Sequence, residues 1–311
     1  MNDLFYRHFE QLFRGSRVEI KQRLRVYLPF LTPMPGLYPD ALALDLGCGR
    51  GEWLELLRDQ GLRGLGVDLD DGMLEDCRAL RLEVETQDAI LKLQSLPDSS
   101  VSIVSAFHLV EHIRFDDLRT LVSEAHRVLK PGGILIMETP NPENLTVASS
   151  SFHLDPTHTQ PIPPGLLSFI PQYYGFARHV VLRLQESAAL SDNLSPRLLD
   201  VLEGVSPDYA VIAQKSADEH ILTQFDTAFS LNLGLTINTL SERYDEATKR
   251  AIAHTLHLAD NNREAIQDLQ SQIDWLKSEI DSIYNSRSWK LTQPLRALGN
   301  ALRRLKGFFL R

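Results

Sequence analysis

Residues Leu44–Glu52, LDLGCGRGE, join an apolar segment to a helical one through three closely spaced glycines. Gly47, Gly49 and Gly51 permit a tight turn, and they let a ligand approach the backbone at the start of the following helix. A glycine-rich turn between a first strand and a first helix is typical of α/β folds that bind nucleotides. The loop therefore predicts the fold class, but glycines alone do not distinguish one nucleotide from another.

Short apolar segments alternate with amphipathic ones on both sides of this loop, a pattern that predicts repeated strand–helix units and a parallel sheet. Strands are predicted at 41–46, 62–69, 82–89, 101–107, 132–140, 178–185 and 208–215. Helices are predicted at 51–61, 71–81 and 116–130. The expected fold is of the α/β class, with a seven-stranded, mostly parallel, Rossmann-like sheet followed by a helical or coiled-coil region.

Three parts of the chain differ in pattern. Residues 1–215 contain the predicted sheet, preceded by one or two amphipathic helices over 1–31, which would form a lid, and by a proline-rich break at 33–39. Residues 216–285 are predicted to be helical. In residues 286–311, leucines alternate by four and three, and seven basic residues and no acid occur, which indicates a basic amphipathic helix on an anionic membrane surface. The alternative is a final helix docked on the protein with a solvated basic face.

The helical region ends in a short heptad pattern. Its apolar positions are Ile266, Leu269, Ile273, Leu276, Ile280 and Ile283. Heptad position a is mostly isoleucine and position d is leucine, and this combination favours a parallel two-stranded coiled coil. The pattern covers only about three heptads, so an amphipathic helix packed on a domain is the alternative. We expect homo-oligomerisation through 266–283.

The composition argues against several classes of protein. A net charge of −9 argues against a nucleic-acid partner, because phosphate contacts require a basic surface. The only cysteines are Cys48 and Cys77, too few for a disulfide framework and consistent with a reducing compartment. Neither a signal peptide nor a stretch of about 20 apolar residues is found. The expected location is cytoplasmic, with peripheral association at the inner membrane.

Asp45, two residues before the first glycine, separates two interpretations of the loop. A dinucleotide-binding enzyme also has a glycine-rich turn followed about 20 residues later by an acid, which here would be Asp68. However, the Asp45 carboxylate would repel a pyrophosphate, whereas it suits a ligand with a cationic amino group and a sulfonium. Because S-adenosylmethionine carries both groups, the loop predicts it as the cofactor.

Four motifs in register resemble those of class I S-adenosylmethionine-dependent methyltransferases: DLGCGRG, GVD, QDA at Gln87–Ala89 and LKPGG at Leu129–Gly133. The resemblance implies that Asp68 holds the ribose hydroxyls, that Asp88 and Ala89 meet the adenine, and that the glycine loop carries the methionine end. The full predicted cofactor set is Arg14, Asp45, Gly47, Cys48, Gly49, Asp68, Leu69, Asp88, Ala89 and His108. For each single residue, a turn or capping role is the ordinary alternative.

The segment HLVEH places His108, Glu111 and His112 in the H-x-x-E-H pattern of a zinc peptidase. Because this pattern directly follows the fourth predicted strand instead of lying inside a long helix, peptidase chemistry is not favoured. A divalent metal held by these three side chains in a methyltransferase is a weaker alternative. The simplest interpretation is that Glu111 and His112 orient the loop.

A histidine-rich loop after the fifth strand, SFHLDPTHTQPIPP at 151–164, lies where such folds bind ligands. Methyl transfer to a hydroxyl requires a base, whereas transfer to a phosphate oxygen does not. The candidate bases are His108, His112, His153 and His158, and Glu111 and Asp155 are candidate substrate-binding residues. One of the four histidines is predicted to accept the proton.

A narrower resemblance covers most of residues 1–215 and the start of the tail. NPENL at 141–145, DPTHTQPIPP at 155–164, FRGSR at 13–17 and SRSWKLTQPLR at 286–296 resemble bacterial methyltransferases of O-antigen biosynthesis, including the chain-terminating methyltransferase-kinases. In that family a coiled coil and a basic terminal helix serve chain-length control and membrane association. The tail is also similar to segments of O-antigen glycosyltransferases, which makes such an enzyme a candidate partner. The family's kinase has no counterpart, since the sequence contains neither HRD nor DFG.

Without that kinase, a sugar hydroxyl is a better acceptor than a phosphate. The first hypothesis is an O-methyltransferase for a terminal sugar, or sugar phosphate, of lipid-linked O-antigen or a related surface polysaccharide, with a role in chain termination. A methyltransferase for a small molecule such as a quinone precursor is the second. The third is a scaffold without enzymatic activity, against which Asp45, Asp68 and Asp88 argue. Arg14, in FRGSR, is expected to meet the methionine carboxylate or an anionic acceptor.

Overall fold

The computed structural model describes the backbone of residues 15–308. The chain divides into two compact units between Asp245 and Glu246. The first unit holds a seven-stranded sheet, and the second is helical. Arg14, predicted as a cofactor residue, lies outside the described residues.

All seven predicted strands are present, with ends that shift by three residues at most. They are β1 Leu42–Leu46, β2 Arg63–Asp68, β3 Glu83–Thr86, β4 Val101–Phe107, β5 Leu129–Pro140, β6 Phe176–Leu184 and β7 Asp208–Lys215. Their order across the sheet is β3-β2-β1-β4-β5-β7-β6. Only β7 runs antiparallel to its neighbours, β5 and β6. The predicted mostly parallel, Rossmann-like sheet is therefore confirmed.

The helices fall between and after these strands. Before and within the sheet they are α1 Arg17–Leu24, α2 Leu28–Leu31, α3 Met34–Leu37, α4 Glu52–Asp59, α5 Leu74–Ala79, α6 Ala89–Ser95, α7 Phe115–Val128, α8 Leu145–Ser149, α9 Pro164–Tyr173, α10 Ala188–Ser191 and α11 Leu198–Glu203. After β7 they are α12 Glu219–Leu222, α13 Asp226–Phe229, α14 Ile237–Asn285, α15 Arg287–Leu291 and α16 Gln293–Phe308. Short 3-10 turns occupy Arg25–Tyr27, Ser151–Leu154 and Thr223–Phe225.

Both faces of the sheet are buried, because successive strand residues point to opposite sides. On one face Leu44 belongs to a core cluster that includes Leu121 of α7. On the other face Ala43 belongs to a cluster that includes Leu57 of α4. The sheet is thus the middle of three layers, and a ligand reaches it at the strand ends.

The strand order reverses between β1 and β4, since the chain passes from β1 outward to β2 and β3 and then returns to β4. In open α/β sheets a ligand-binding crevice forms outside the carboxyl ends of the strands at such a switch point. The loop after β1 holds the glycines, and the loop after β4 holds His108–His112. The topology therefore brings these two predicted motifs to the same place.

The amino-terminal segment, which is predicted to form a lid, packs in its described part against the domain, and Ile20, Arg23 and Leu24 of α1 line a cavity at the strand ends. Tyr27 and Phe30 are fully buried, and the Tyr27 ring meets the Trp53 ring edge-on at 5.8 Å between centroids. The predicted proline-rich break at 33–39 contains instead the short helix α3. Proline is tolerated there because it occupies the first helical turn, where its missing N–H has no partner to lose.

The first unit extends beyond Lys215, where the sequence analysis placed the end of the sheet domain. Phe225 and Leu240 are fully buried within it. Phe229 stacks edge-on against Phe30 at 5.4 Å between ring centroids. Residues 216–245 therefore complete the hydrophobic core of the first unit, which ends at Asp245.

The second unit is formed by the remainder of α14 together with α15 and α16. On α14 the predicted heptad residues remain exposed, from 46% at Ile273 to 65% at Ile266. Two helices replace the single predicted tail helix, since α15 ends before Thr292 and α16 starts at Gln293, with Pro294 in its first turn. The Ser286 hydroxyl caps the start of α15 by accepting from the Trp289 N–H at 3.2 Å. Within residues 15–308, no helix is both long and apolar enough to cross a membrane.

Candidate active site

A cavity of about 620 Å³ opens at the carboxyl ends of the parallel strands. A volume of this size is usual for a site that encloses a small-molecule ligand. Most of the predicted site residues line it: Asp45, Gly47, Cys48, Gly49, Asp68, Leu69, Asp88, Ala89, His108, His112, Asp155 and His158. The structure therefore joins the predicted cofactor residues and much of the histidine-rich loop in one cavity.

The glycine loop forms one wall of the cavity. Gly47 and Gly49 have φ values of +67° and +49°, a left-handed conformation that glycine adopts without strain. The N–H groups of Gly47 and Cys48 both donate to the Val67 carbonyl, at 2.8 and 3.0 Å. A Cβ on Gly66 of β2 would lie 2.5 Å from the Cys48 Sγ. The close seating of the loop on β2 thus depends on glycine in the strand as well.

Asp68 ends β2, and backbone groups orient its carboxylate. Its Oδ2 accepts from the Gly49 N–H and its Oδ1 from the Asp70 N–H, each at 2.9 Å. A carboxylate has about four acceptor sites, so two remain for other donors. This arrangement suits the pair of ribose hydroxyls that the family resemblance assigns to Asp68.

Asp45 is only 2% exposed, yet it lines the cavity. Its Oδ1 accepts a hydrogen bond from the Ser105 hydroxyl of β4 at 2.8 Å. A buried carboxylate favours a cationic partner, because removing a charge from water is costly without a counter-charge. The side chain is therefore placed to attract the cationic end of a ligand seated on the glycine loop.

Asp88 fills the capping role that is the ordinary alternative to ligand binding. Its Oδ1 accepts from the N–H groups of Ile90 and Leu91, at 2.9 and 3.0 Å, and so begins α6. Asp88 and Ala89 also line the cavity, and Leu69 beside it is 72% exposed. A flat apolar ligand bound between these residues would cover the Leu69 side chain.

His108 lies between two carboxylates at the end of β4, with a φ of +50°. Its Nδ1 is 3.2 Å from Glu111 Oε1, and its Nε2 is 3.6 Å from Glu138 Oε1. Burial opposes protonation, but the hydrogen bonds to Glu111 and Glu138 and the charge of Asp208 prevail and raise the pKa of His108 well above its ordinary value. A protonated imidazole donates hydrogen bonds and cannot accept a proton, so His108 is poorly suited to be the base.

His112 and His158 meet on another part of the cavity wall. Their rings are edge-on, with 4.6 Å between centroids. His112 Nδ1 lies 2.8 Å from the Thr157 hydroxyl, and His158 Nδ1 lies 2.6 Å from the Phe152 carbonyl. Burial lowers the pKa of His112, which keeps its ring neutral near pH 7.

Of the predicted site residues that the structure describes, two do not line the cavity. His153, a candidate base, is exposed and packs on the Phe152 ring. Glu111, a candidate substrate-binding residue, is fully buried, and its Oε2 accepts from the Thr139 hydroxyl at 2.9 Å. Because the turn after β4 directs the Glu111 carboxylate inward, this residue contacts His108 and is not exposed to a substrate in the cavity.

The H-x-x-E-H segment forms a turn, and α7 begins only at Phe115, so the helical face of a zinc peptidase is not formed. The predicted metal trio of His108, Glu111 and His112 is also divided. Among the described residues, metal-type clusters are formed by Glu111, His112 and His158 and, separately, by His108, Glu138 and Asp208. In the first cluster, His158 comes from the histidine-rich loop, and Glu111 and His112 come from the turn after β4. In the second cluster, Glu138 comes from β5 and Asp208 from β7.

A set of cavity residues on the β5–β7–β6 side of the sheet was not predicted from the sequence. The Tyr27 hydroxyl donates to Glu138, and Gln185 Nε2 donates to Glu138 Oε1 at 3.1 Å. Asp208 begins β7 and pairs in the sheet with Pro140, at the end of β5. Arg23 of α1 lines the cavity as well. The sequence signal for these residues was the position of two acids: Glu138 lies near the end of the apolar strand β5, and Asp208 lies at the start of the apolar strand β7.

The fold, the glycine loop and the two acids together define a nucleotide-binding α/β enzyme of the methyltransferase type. The residues fit S-adenosylmethionine. Gly47 and Gly49 line the cavity without side chains, Asp68 offers acceptors for ribose hydroxyls, and Asp45 offers a negative charge for the methionine amino group.

Comparisons with known proteins agree with this class. Residues 44–137 match the family described as methyltransferase domain. The crystal structure of an S-adenosylmethionine-dependent methyltransferase from Archaeoglobus fulgidus is 33% identical and matches 68% of this chain and 100% of its own, with a TM-score of 0.61. A probable S-adenosylmethionine-dependent methyltransferase of Mycolicibacterium smegmatis is 31% identical over 175 residues, 56% of this chain and 65% of that protein. The ubiquinone biosynthesis O-methyltransferase of Methylococcus capsulatus is 32% identical over 106 residues, 32% of this chain and 43% of that protein.

The chain therefore belongs to the S-adenosylmethionine-dependent methyltransferases. The predicted enzyme class and the predicted cofactor are confirmed. The chain spans less than two thirds of the length of the curated relatives it matches. These similarities do not extend to the choice of methyl acceptor.

Proposed function

We propose that the protein methylates a hydroxyl group of a sugar at the end of a lipid-linked O-antigen or related surface polysaccharide. The observation that carries the proposal is the division of the cavity into two sides. Residues after β1, β2 and β3 form the cofactor side. On the acceptor side, beside β4, β5, β6 and β7, the polar residues are Arg23, His108, His112, Glu138, Ser151, Asp155, His158, Gln185 and Asp208.

The acceptor side suits a neutral ligand with several hydroxyl groups. Carboxylates and the neutral imidazole of His112 accept hydrogen bonds from hydroxyls, and those to carboxylates, being charge-assisted, are among the stronger ones in proteins. A phosphate would instead meet the acids Glu138, Asp155 and Asp208. Among the described lining residues, Arg23 is the one lysine or arginine on that side. The charge pattern therefore favours a sugar hydroxyl over a sugar phosphate.

Methyl transfer to a hydroxyl also requires a group that accepts the hydroxyl proton, and we assign this role to Asp208. S-adenosylmethionine supplies the electrophilic methyl group on its sulfonium. Burial raises the pKa of Asp208 to about 7; the charges of Glu138 and Glu111 add to this effect, while His108 and Arg23 oppose it. A base whose pKa is near the working pH combines adequate ionisation with adequate basicity.

Features of the second unit support an acceptor at a membrane surface. Leu291, Leu295 and Leu298 are 79%, 71% and 66% exposed. Exposed leucines on a helix with basic residues favour binding at an anionic lipid interface. We therefore propose membrane association through 286–311. The heptad pattern is the basis for proposing homo-oligomerisation through 266–283. The similarity of the tail to O-antigen glycosyltransferases makes such an enzyme a candidate partner.

The test is incubation of the full chain with radiolabelled S-adenosylmethionine and undecaprenyl-linked O-polysaccharide. Label is expected on the glycan, and much less label is expected with the cofactor-site variant Asp68→Asn when the cofactor is limiting. Parallel reactions contain the same glycan without lipid, or a soluble phenol, since the similarity to a ubiquinone biosynthesis O-methyltransferase makes a small molecule the second candidate. Transfer to the phenol alone, with equal rates after removal of residues 286–311, would establish the small-molecule function. Failure to bind the cofactor would instead support a scaffold.

A further inference from the structure

We propose that Glu111, His112 and His158 form a binding site for a divalent transition-metal ion in the wall of the cavity. One ligand atom from each of these residues lies within 4.8 Å of the other two. Metal bonds to imidazole nitrogen and carboxylate oxygen are about 2.0–2.2 Å long, so small side-chain rotations bring all three atoms to one ion. The three residues come from two different loops, so the site exists only in the folded chain.

The tautomer of His112 is determined by a chain of hydrogen bonds. The Thr157 hydroxyl donates its single proton to Asp155 Oδ1 at 2.6 Å. The same hydroxyl oxygen lies 2.8 Å from His112 Nδ1 and must therefore accept from that nitrogen. The proton of the neutral ring is on Nδ1, and the lone pair of Nε2 is available to a metal.

His158 has the same tautomer for a simpler reason. Its Nδ1 lies 2.6 Å from the Phe152 carbonyl oxygen, which can only accept a hydrogen bond. The Nε2 lone pair is again left available. Metal-bound histidines commonly donate their other ring N–H to a carbonyl or a carboxylate-linked group in this way, which orients the ring and increases its basicity.

Glu111 supplies the anionic ligand. Its carboxylate is fully buried, accepts from the Thr139 hydroxyl at 2.9 Å on Oε2 and contacts His108 at 3.2 Å on Oε1. A carboxylate has about four acceptor sites, so these contacts orient it without exhausting it. Two imidazoles and one carboxylate, with further coordination positions left to water, are the ligand set of non-heme Fe(II) centres and also suit Mn(II), Co(II) and Zn(II).

The remaining coordination positions are reachable from the cavity, because His112 and His158 both line it. Asp155 Oδ2, 3.9 Å from His158 Nε2, is close enough to hold a metal-bound water. Where the proposed function holds, the acceptor hydroxyl would take one of these positions, and the ion would lower its pKa as it does for bound water. Metal binding itself does not depend on that function.

The test is metal binding by the full chain after removal of metals with a chelator. Mn(II) is titrated by electron paramagnetic resonance, and Co(II) by its visible absorption. One ion per chain is expected, with affinity reduced in His112→Gln and in His158→Gln by more than in Thr157→Val. Thr157→Val, which removes the hydroxyl that orients His112 but no ligand, is expected to weaken binding by about 10–100-fold.

Two matched controls locate the ion. His153→Gln, on the same loop but outside the cavity, is expected to bind the metal as the wild type does. Asp208→Asn disrupts the separate cluster of His108, Glu138 and Asp208 and is likewise expected to leave the affinity unchanged. Loss of binding in Asp208→Asn with retention in His112→Gln and His158→Gln would overturn the proposal. The same holds if the wild type binds neither ion. Thermal unfolding and cofactor binding verify that each variant is folded, and no assay uses the methyl acceptor.

Discussion

Replacing Asp208 by asparagine is expected to stabilise the protein and to inactivate it. The pKa of Asp208 is about 7 in the folded chain against an ordinary value of 3.8. Each unit of pKa difference corresponds to about 1.4 kcal/mol, so ionised Asp208 lowers the free energy of unfolding by at most about 4 kcal/mol. The physical cause is burial beside Glu138, with Glu111 adding to it and with His108 and Arg23 compensating only in part.

The sign of the pH dependence follows from proton linkage. Between about pH 4 and pH 7 the folded state holds the Asp208 proton more tightly than the unfolded state, so this contribution to stability is present at low pH and is lost as the pH rises through 7. Asparagine does not titrate. The difference in unfolding free energy between the variant and the wild type should therefore be small at pH 4 and largest above pH 7.

Urea denaturation followed by near-ultraviolet circular dichroism at several pH values measures this difference, because Tyr27 and Trp53 are buried in the same unit. Asp192→Asn, an exposed acid in that unit, controls for the loss of one negative charge. An Asp208→Asn variant that is no more stable than the wild type at pH 8, or whose advantage is the same at pH 5 and pH 8, would refute the reasoning.

The catalytic half of the prediction uses the same variant. General base catalysis contributes about 10²–10⁴-fold, so kcat should fall by that factor while cofactor affinity is unchanged. For the wild type, kcat/KM should fall about tenfold per pH unit below pH 7, as Asp208 becomes protonated. If the variant kept a wild-type pH profile, Asp208 would not be the base.

Three further predictions concern the cofactor side and the tail. The Gly66→Ala variant should no longer bind the cofactor in calorimetry, and its free energy of unfolding should fall by about 1–3 kcal/mol, because the new Cβ would lie 2.5 Å from the Cys48 Sγ. The control Gly36→Ala, whose Cβ meets nothing within 4 Å, should keep both cofactor binding and stability. Asp68→Asn should raise the cofactor Kd about 10–100-fold, because hydrogen bonds to a charged group contribute about 1.5–3 kcal/mol. An unchanged Kd would exclude Asp68 as a cofactor-binding residue. Leu298→Glu should reduce cosedimentation with anionic vesicles; equal sedimentation would argue against the membrane helix.

Much of the fold was predictable from local patterns. Strands β4 and β7 are buried almost throughout, and such strands form short apolar runs that differ from the amphipathic helices beside them. The core role of residues 216–245 was not predictable, because Phe225 and Phe229 carry no sign of the surface they cover. Their partners, including Phe30, are far away in the sequence.

The sequence by itself determined the cofactor side, because Asp45, the glycine loop and Asp68 lie within one strand–helix–strand unit whose geometry depends on adjacent residues. Only the tertiary structure decided the acceptor side. The reversed direction of β7 brings Asp208 to the edge where the parallel strands end, and the inward turn after β4 buries Glu111 while His153 remains outside. Which side chains share a cavity depends on strand direction and loop packing, and these arise from contacts between distant segments of the chain.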